Sequence, residues 1–344
     1  MTKFKRKKTN TRKADAILAA DLHIRPDVPI GRTDDYFAAM EKKIDFTLDL
    51  SKQNDCPLFV AGDLGHKSLN NGWPTWLLKW AISKFKEHDI ICIVGQHDLP
   101  NHQICQFNKS GMGVLNAAGV IQTIGITLHT SDIPIFPNEI LIDTPLDNKL
   151  CACHFTPTYP LNKYGLHITP FPYGSPIKSL GWGKEYEKPN IPMIAMTHQS
   201  VLHGKSMFDG IQGLELLKDF PEYQLILSGD NHLPFTEEYQ GRRLVNPGSM
   251  MRNTADQKDH KPRVYLWWAD TNEIQAVYLP IEKDVISREH IKDTTERDNR
   301  FDALICRVRS DVEIEMSYSD NVDKYFNKYR TEKAVKDKVL IHVV

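Results

Sequence analysis

The sequence predicts a mixed α/β (α+β) fold, a sandwich of sheets flanked by helices, on three observations. Short apolar runs at 16–20, 57–61, 90–94, 191–196 and 223–227 are rich in Ile, Val, Leu or Ala, as strands buried on both faces are. Helical patterns separate the first three runs: Tyr36, Phe37, Met40, Ile44 and Leu48 recur at three- and four-residue steps, and Trp76, Leu77, Trp80, Ile82 and Phe85 nearly repeat this. After Gly119 the pattern turns to short alternating runs, so 120–128 and 149–154 are expected as antiparallel strands. Strand, helix, strand order implies a largely parallel sheet covered by helices. The stretch 155–189 interleaves Tyr, Phe, Trp, Gly and Pro with little periodicity and reads as a long ordered loop. From Ile281 the charge density rises and the strand pattern fades, apart from one alternating run at 311–316. The expected organisation is a basic disordered tail over 1–13, a main domain over 14–280 and a small C-terminal region over 281–344.

Composition excludes several classes. A chain of 344 residues that is 41% hydrophobic and 25% charged is neither disordered, collagen-like nor a disulfide framework. No run approaches the roughly 18 apolar residues of a membrane span, so an intracellular, cytoplasmic protein without membrane association is expected. The cysteines, Cys56, Cys92, Cys105, Cys151, Cys153 and Cys306, show no C-x-x-C spacing and read as reduced, mostly buried thiols. A formal net charge of −1 argues against a polycation that coats nucleic acid. Residues 1–13 nevertheless carry seven Lys or Arg and no acid, which suits a solvated extension or an arm that touches a phosphate backbone.

The chemistry lies where the apolar runs stop. The first run leads into Asp21-Leu22-His23, the second into Gly62-Asp63, the third into Gly95-Gln96-His97-Asp98, the fourth into His198 and the fifth into Gly229-Asp230-Asn231-His232. Ligands bind at the carboxyl ends of parallel strands, so these clusters converge on one place. Each alone reads as turn chemistry or a core histidine; five at five successive run ends do not. Carboxylate plus imidazole suits manganese, iron or zinc, and with Asp63 bridging, the set would hold two ions.

These residues resemble the signature of the calcineurin-like metallophosphoesterases: D-x-H, G-D, G-N-H-D or E, H, then G-H-x-H, in order over 16–250. The resemblance implies a two-sheet sandwich with one metal on Asp21, His23, Asp63 and His232, and another on Asp63, Gln96, His198 and Asp230. Gln96 stands where the family has Asn, and Asp230 where it has His. The swap adds negative charge and harder donors to the second site, favouring Mn2+ or Mg2+ over zinc. Within the superfamily the chain is similar to SbcD-type DNA double-strand-break repair nucleases, including those encoded by phages. Gly62-Asp63-Leu64-Gly65-His66 resembles their G-D-L-F-H, in which the histidine helps position the substrate phosphate. Val245-Asn246-Pro247-Gly248-Ser249 with Arg252 resembles their Y-P-G-S-x-x-R. In that family a C-terminal region caps the active site and binds an SMC-like ATPase subunit (SbcC-type), and homodimers form through helices near the first motifs.

The expected mechanism is phosphodiester hydrolysis, in which two cations acidify a shared water and polarise the phosphoryl oxygens. His97, outside the ligand set, would protonate the leaving oxygen, with Asp98 orienting its ring and His66 on the phosphate. DNA as substrate rests on the basic tail, on the aromatics Tyr159, Tyr164, Phe171, Tyr173 and Trp182, and on Arg242, Arg243 and Arg252. Two other readings stay open: a phosphoesterase acting on phosphoprotein or cyclic nucleotide, and a metal-deficient scaffold of the same fold.

Overall fold

A computed structural model of the chain describes residues 12–67, 72–128, 140–144, 151–155, 159–179, 191–204, 210–287 and 326. Residues 1–286 form one compact unit and 287–344 a second. The first eleven residues of the basic tail, Trp182 and the run at 311–316 lie outside the described residues.

The first half of the chain runs β1 (Ala16–Ala19), α1 (Tyr36–Asn54), β2 (Leu58–Ala61), α2 (Thr75–Phe85), β3 (Ile90–Ile93), α3 (Gly111–Ala117) and β4 (Gln122–Thr123). Strands β5 (Thr127–Leu128), β6 (Ile140–Thr144) and β7 (Cys151–Phe155) follow, then β8 (Tyr159–Leu161), β9 (Leu166–Phe171) and β10 (Met193–Thr197). Last come β11 (Val201–Leu202), β12 (Ile211–Gln212), α4 (Gly213–Asp219), β13 (Leu225–Ser228), β14 (Phe235–Tyr239), β15 (Arg242–Asn246), β16 (Arg263–Trp268) and β17 (Glu273–Tyr278). One six-stranded sheet has the order β17-β16-β1-β2-β3-β4, the other β14-β15-β13-β10-β9-β8. Both are parallel at their centres, and antiparallel strands close their edges at β16, β17, β14 and β8. Smaller sheets pair β5-β7-β6 and β11-β12.

Alternation along the central strands builds the layers. Ala16, Leu18, Phe59, Ala61, Ile91 and Ile93 face the other sheet and pack with Ile168, Ile194, Met196, Leu225, Leu227 and Val245. Their neighbours Ile17, Ala19, Leu58, Val60, Ile90 and Cys92 face outward against Tyr36, Met40, Ile44 and Leu48 of α1 and Leu77, Ala81 and Phe85 of α2. On the far side Met193, Ala195, Ile226 and Leu244 meet Leu216 and Leu217 of α4. The order is helices, sheet, sheet, helix. Both faces of each central strand are apolar, which is why the runs read as continuous rather than alternating. Each fully buried Leu, Ile or Val contributes roughly 1.5–3 kcal/mol, so the layers hold the strand ends firmly.

Helix α1 begins where the Asp35 side chain accepts from Ala38 N at 3.0 Å and ends at Asp55, whose φ of 55° is left-handed. Trp80 of α2 donates its indole N–H to Glu41 of α1 at 2.8 Å, tying the two helices side by side. No helix among the described residues is long and apolar enough to cross a membrane.

Two expectations need correction. The stretch 155–189 is not simply a loop: β8 and β9 form a hairpin, and β9 pairs in parallel with β10. Leu166, Ile168, Thr169, Pro170 and Phe171 are all buried, so alternation is absent, and two prolines disguise the rest. The expected strand at 120–128 is broken into β4, parallel to β3, and β5, antiparallel to β7. Gly125 breaks it, with a φ of +84°; a Cβ there would sit 2.8 Å from Pro170.

Candidate metal centre

The turns after β1, β2 and β3 in one sheet and after β10 and β13 in the other meet at one edge of the sandwich. Asp21, His23, Asp63 and Asp230 all take left-handed backbone, with φ of 51°, 47°, 51° and 72°. Such strain at non-glycine residues concentrates where a site requires a particular side-chain direction. Backbone bonds lock the turns together: Asp21 N donates to Gly62 O, His23 N to Asp63 O, and Asp230 N to the Asp21 carboxylate at 3.2 Å. Gly62 has a φ of +86°, and a Cβ on it would lie 2.2 Å from His198 Nδ1, so the imidazole fills the space a side chain would occupy.

Two groups of donor atoms result, each within 4.8 Å of one another: Asp21, His23 and His232, and Asp21, Asp63 and His198. Asp63 Oδ2 lies between them, 3.9 Å from His23 Nε2, 3.4 Å from His198 Nε2 and 4.0 Å from His97 Nε2. His23 and His232 bring their Nε2 atoms within 3.0 Å, a contact that one shared cation would rationalise. His198 donates Nδ1–H to Ala61 O at 2.7 Å, which leaves the Nε2 lone pair aimed at the carboxylates. Asp21 Oδ2, Asp63 Oδ2, Gln96 Oε1 and His198 Nε2 are buried and find no hydrogen-bond partner among the described residues. Donors of Asp21, Asp63 and His198 that converge from both sheets, each residue leaving a buried atom unpartnered, fit a divalent cation site, and Gln96 Oε1 is likewise buried and unpartnered. Gln96 and Asp230 complete the cluster and meet each other, Gln96 Nε2 donating to Asp230 Oδ1 at 2.7 Å.

Without a cation the cluster holds protons instead. Burial pushes the Asp21 carboxyl up to about 8. Burial also acts against protonated His198, but the charge of Asp63 outweighs it and raises the imidazole to about 10. The same attraction keeps Asp63 itself ionised, well below the usual carboxylate range despite its burial. Cation uptake therefore expels protons from Asp21 and His198, and affinity must rise with pH. Manganese affinity is expected to increase by up to about tenfold per displaced proton per pH unit between about pH 6 and 8. Calorimetry at stepped pH, in buffers of different ionisation enthalpy, measures both the slope and the protons released; a flat profile would contradict this electrostatic account.

His97 stands at the mouth of the cluster, its side chain 37% exposed, with its backbone N–H donating to Asp63 Oδ1 at 2.9 Å. Its ring stacks on His66 at 5.3 Å and 17°. Burial, then Arg25 and His97, lower His66 to about 4, so it is neutral near pH 7. Asp98 does not face the His97 ring. Its oxygens accept from Gly65 N at 2.8 Å, Gly95 N at 2.9 Å and Leu64 N at 3.3 Å, so it ties the turn after β2 to the turn after β3. Asp98→Asn would turn an amide N–H toward backbone N–H groups, and an unfolding titration should show a loss of about 1–3 kcal/mol. An unchanged midpoint would leave Asp98 without this bracing role.

The substrate candidates divide. Tyr173 is 36% exposed and lies 6.2 Å, ring to ring, from His102, which in turn lies 6.4 Å from His97. Arg242 and Arg243 are not brought to the cluster: they begin β15, at the end away from Asn246, and donate to the carbonyls of Leu217 and Asn272. Arg252 is buried and donates to the carbonyls of Lys258 and Glu282. Tyr159 and Tyr164 pack against the intersheet core, and Phe171 packs under the second sheet. Sequence reasoning missed His102, signalled only by its place in the turn after His97, and the work of Asn246. The Asn246 side chain donates to Asn231 O at 2.8 Å and accepts from Gly248 N at 2.9 Å, bracing the turn that carries Asp230 and His232.

A two-sheet sandwich with a carboxylate and imidazole cluster at facing strand ends is the build of a metal-dependent hydrolase. The chain belongs to the calcineurin-like phosphoesterase family, whose model matches residues 16–234. This is a family of phosphoester hydrolases that bind divalent metal ions. No curated protein matches the chain significantly in sequence. Among solved structures it is similar to a novel archaeal phosphodiesterase, with 12% identity and a TM-score of 0.36 over 77% of this chain and 99% of that one. It is also similar to TT1561 of Thermus thermophilus, with 10% identity and a TM-score of 0.42 over 77% and 98%. At that level of similarity nothing about substrate transfers.

Proposed function

We propose that this chain hydrolyses DNA phosphodiesters in a reaction dependent on Mn2+, as an SbcD-type nuclease subunit in DNA repair, recombination or replication. The observation that carries the hydrolytic reading is the convergence of buried donors of Asp21, Asp63 and His198, with unpartnered Gln96 Oε1 in the same cluster, beside the partly exposed imidazole of His97 at its mouth. Divalent cations on Asp21, His23, Asp63, Gln96, His198 and His232 would activate water and polarise a phosphoryl oxygen. The protein's own residues do the rest. His97, at the mouth, delivers a proton to the departing oxygen, and neutral His66, stacked beneath it, fixes the ring and donates to a phosphate oxygen. Exposed His102 and Tyr173 continue outward from His97 in steps of 6.4 and 6.2 Å and offer rings on which unpaired bases can stack.

DNA rather than phosphoprotein or cyclic nucleotide is supported by this ring series and by the G-D-L-x-H and N-P-G-S motifs. The near-neutral charge fits a cytoplasmic subunit whose DNA grip comes largely from an SMC-like ATPase partner of SbcC type, in a phage-encoded or cellular complex. The test is cleavage of labelled linear duplex and single-stranded DNA with Mn2+, beside a synthetic phosphodiester and a phosphomonoester. Manganese-dependent DNA cleavage supports the proposal. Turnover of the monoester with DNA left intact would replace it with a phosphomonoesterase.

A further inference from the structure

The two departures from the family signature, Gln96 and Asp230, touch each other. We infer that Asp230 is a positioning residue: it holds the Gln96 amide so that Gln96 Oε1, and not Asp230, is offered to the second cation. The inference rests on the cluster being a two-cation site and is independent of the substrate.

The hydrogen-bond chemistry fixes the direction of the amide. An ionised carboxylate only accepts, so the group 2.7 Å from Asp230 Oδ1 is the Gln96 NH2, and the carbonyl oxygen is turned the other way. That oxygen is buried and without a partner among the described residues, as are Asp63 Oδ2 and His198 Nε2 of the same cluster. Asp230 Oδ1 is already engaged by the Gln96 amide. The two substitutions therefore compensate. Glutamine adds a methylene and a rotatable bond, which by themselves loosen the amide. An acceptor at 230 removes that freedom, as partners of metal ligands do elsewhere. The second cation then rests on Asp63, His198 and Gln96, with Asp230 acting through Gln96.

Calorimetric titration of the full chain with Mn2+ alone tests this, with no substrate present. Wild type should take two ions. Position 230 has a φ of 72°, a conformation that Asn and Gly adopt readily, so Asp230→Asn and Asp230→Gly probe the side chain without backbone strain. Asp230→Asn keeps an acceptor oxygen for the Gln96 amide and should weaken the second ion less than about tenfold, whereas Asp230→Gly should weaken it by about 10–100-fold. Gln96→Met removes the donated oxygen from the other side of the contact. The double variant Gln96→Met with Asp230→Gly should bind the second ion no more weakly than Gln96→Met alone, because the effect of Asp230 passes through Gln96. Affinity for the first ion, on Asp21, His23 and His232, reports in the same titration that each variant is folded. A loss of about tenfold or more in Asp230→Asn, additive losses in the double variant, an unaffected Asp230→Gly, or a wild type that takes a single ion would each overturn the inference.

Discussion

Asp63→Asn is expected to lower phosphoester hydrolysis by at least about 10⁴-fold, because it removes the oxygen that lies between both groups of donors. Metal-activated water owes its reactivity at neutral pH to a pKa lowered from about 15.7 to about 7, so losing the ions forfeits most of that gain. The substitution is conservative in shape. The amide oxygen of the new side chain can still accept from His97 N, and asparagine tolerates the left-handed backbone at this position, where φ is 51°. The amide nitrogen, however, replaces Oδ2, 3.4 Å from His198 Nε2, and would donate to the lone pair that should bind metal. Manganese content by plasma emission, read beside hydrolysis of a synthetic phosphodiester, checks this. Full activity with two ions retained would remove Asp63 from the centre of the site.

His97→Ala should leave both ions in place and lower the single-turnover rate by about 10²–10⁴-fold, the usual worth of a positioned general acid. The separation follows from geometry: His97 Nε2 stands 4.0 Å from Asp63 Oδ2, and the ring is partly exposed, outside the converging donors. A substrate with a more acidic leaving group needs less protonation, so the deficit should shrink on a nitrophenyl ester. Equal deficits on both substrates would point to a positioning role, and an unchanged rate would dismiss His97 from proton transfer.

Much of the sandwich was legible because both faces of its central strands are apolar. The runs at 16–20, 57–61, 90–94, 191–196 and 223–227 contain the strands β1, β2, β3, most of β10 and most of β13, and the Tyr36 to Leu48 stripe is the buried face of α1. The hairpin of β8 and β9 was illegible, since Pro160 and Pro170 sit inside its strands and the second ladder of β9 comes from β10, beyond a long connection. For the cluster, the run ends pointed to Asp21, His23, Asp63, Gln96, His198, Asp230 and His232, whereas His66 came from a motif resemblance and His102 from neither. Orientation was beyond it. Nothing in Gly95-Gln96-His97-Asp98 says that the Asp98 oxygens turn back to Leu64, Gly65 and Gly95, or that the Gln96 amide meets Asp230. Nor does a pair of arginines at 242 and 243 announce that strand direction places it at the far end of β15.

The donors hang from both sheets: Asp21, His23, Asp63 and Gln96 from one, His198, Asp230 and His232 from the other. Elsewhere the two sheets are joined mainly by apolar side chains packed between them. Ions held at this rim would act as rivets across a seam. Their supply adds to the stability of the closed sandwich as the logarithm of free concentration over the dissociation constant. A metal-starved molecule would keep the hydrogen bonds from His198 to Ala61 and from Asp230 to Asp21 but lose the added tie, so that survival of the fold and readiness for the reaction would respond to one and the same resource.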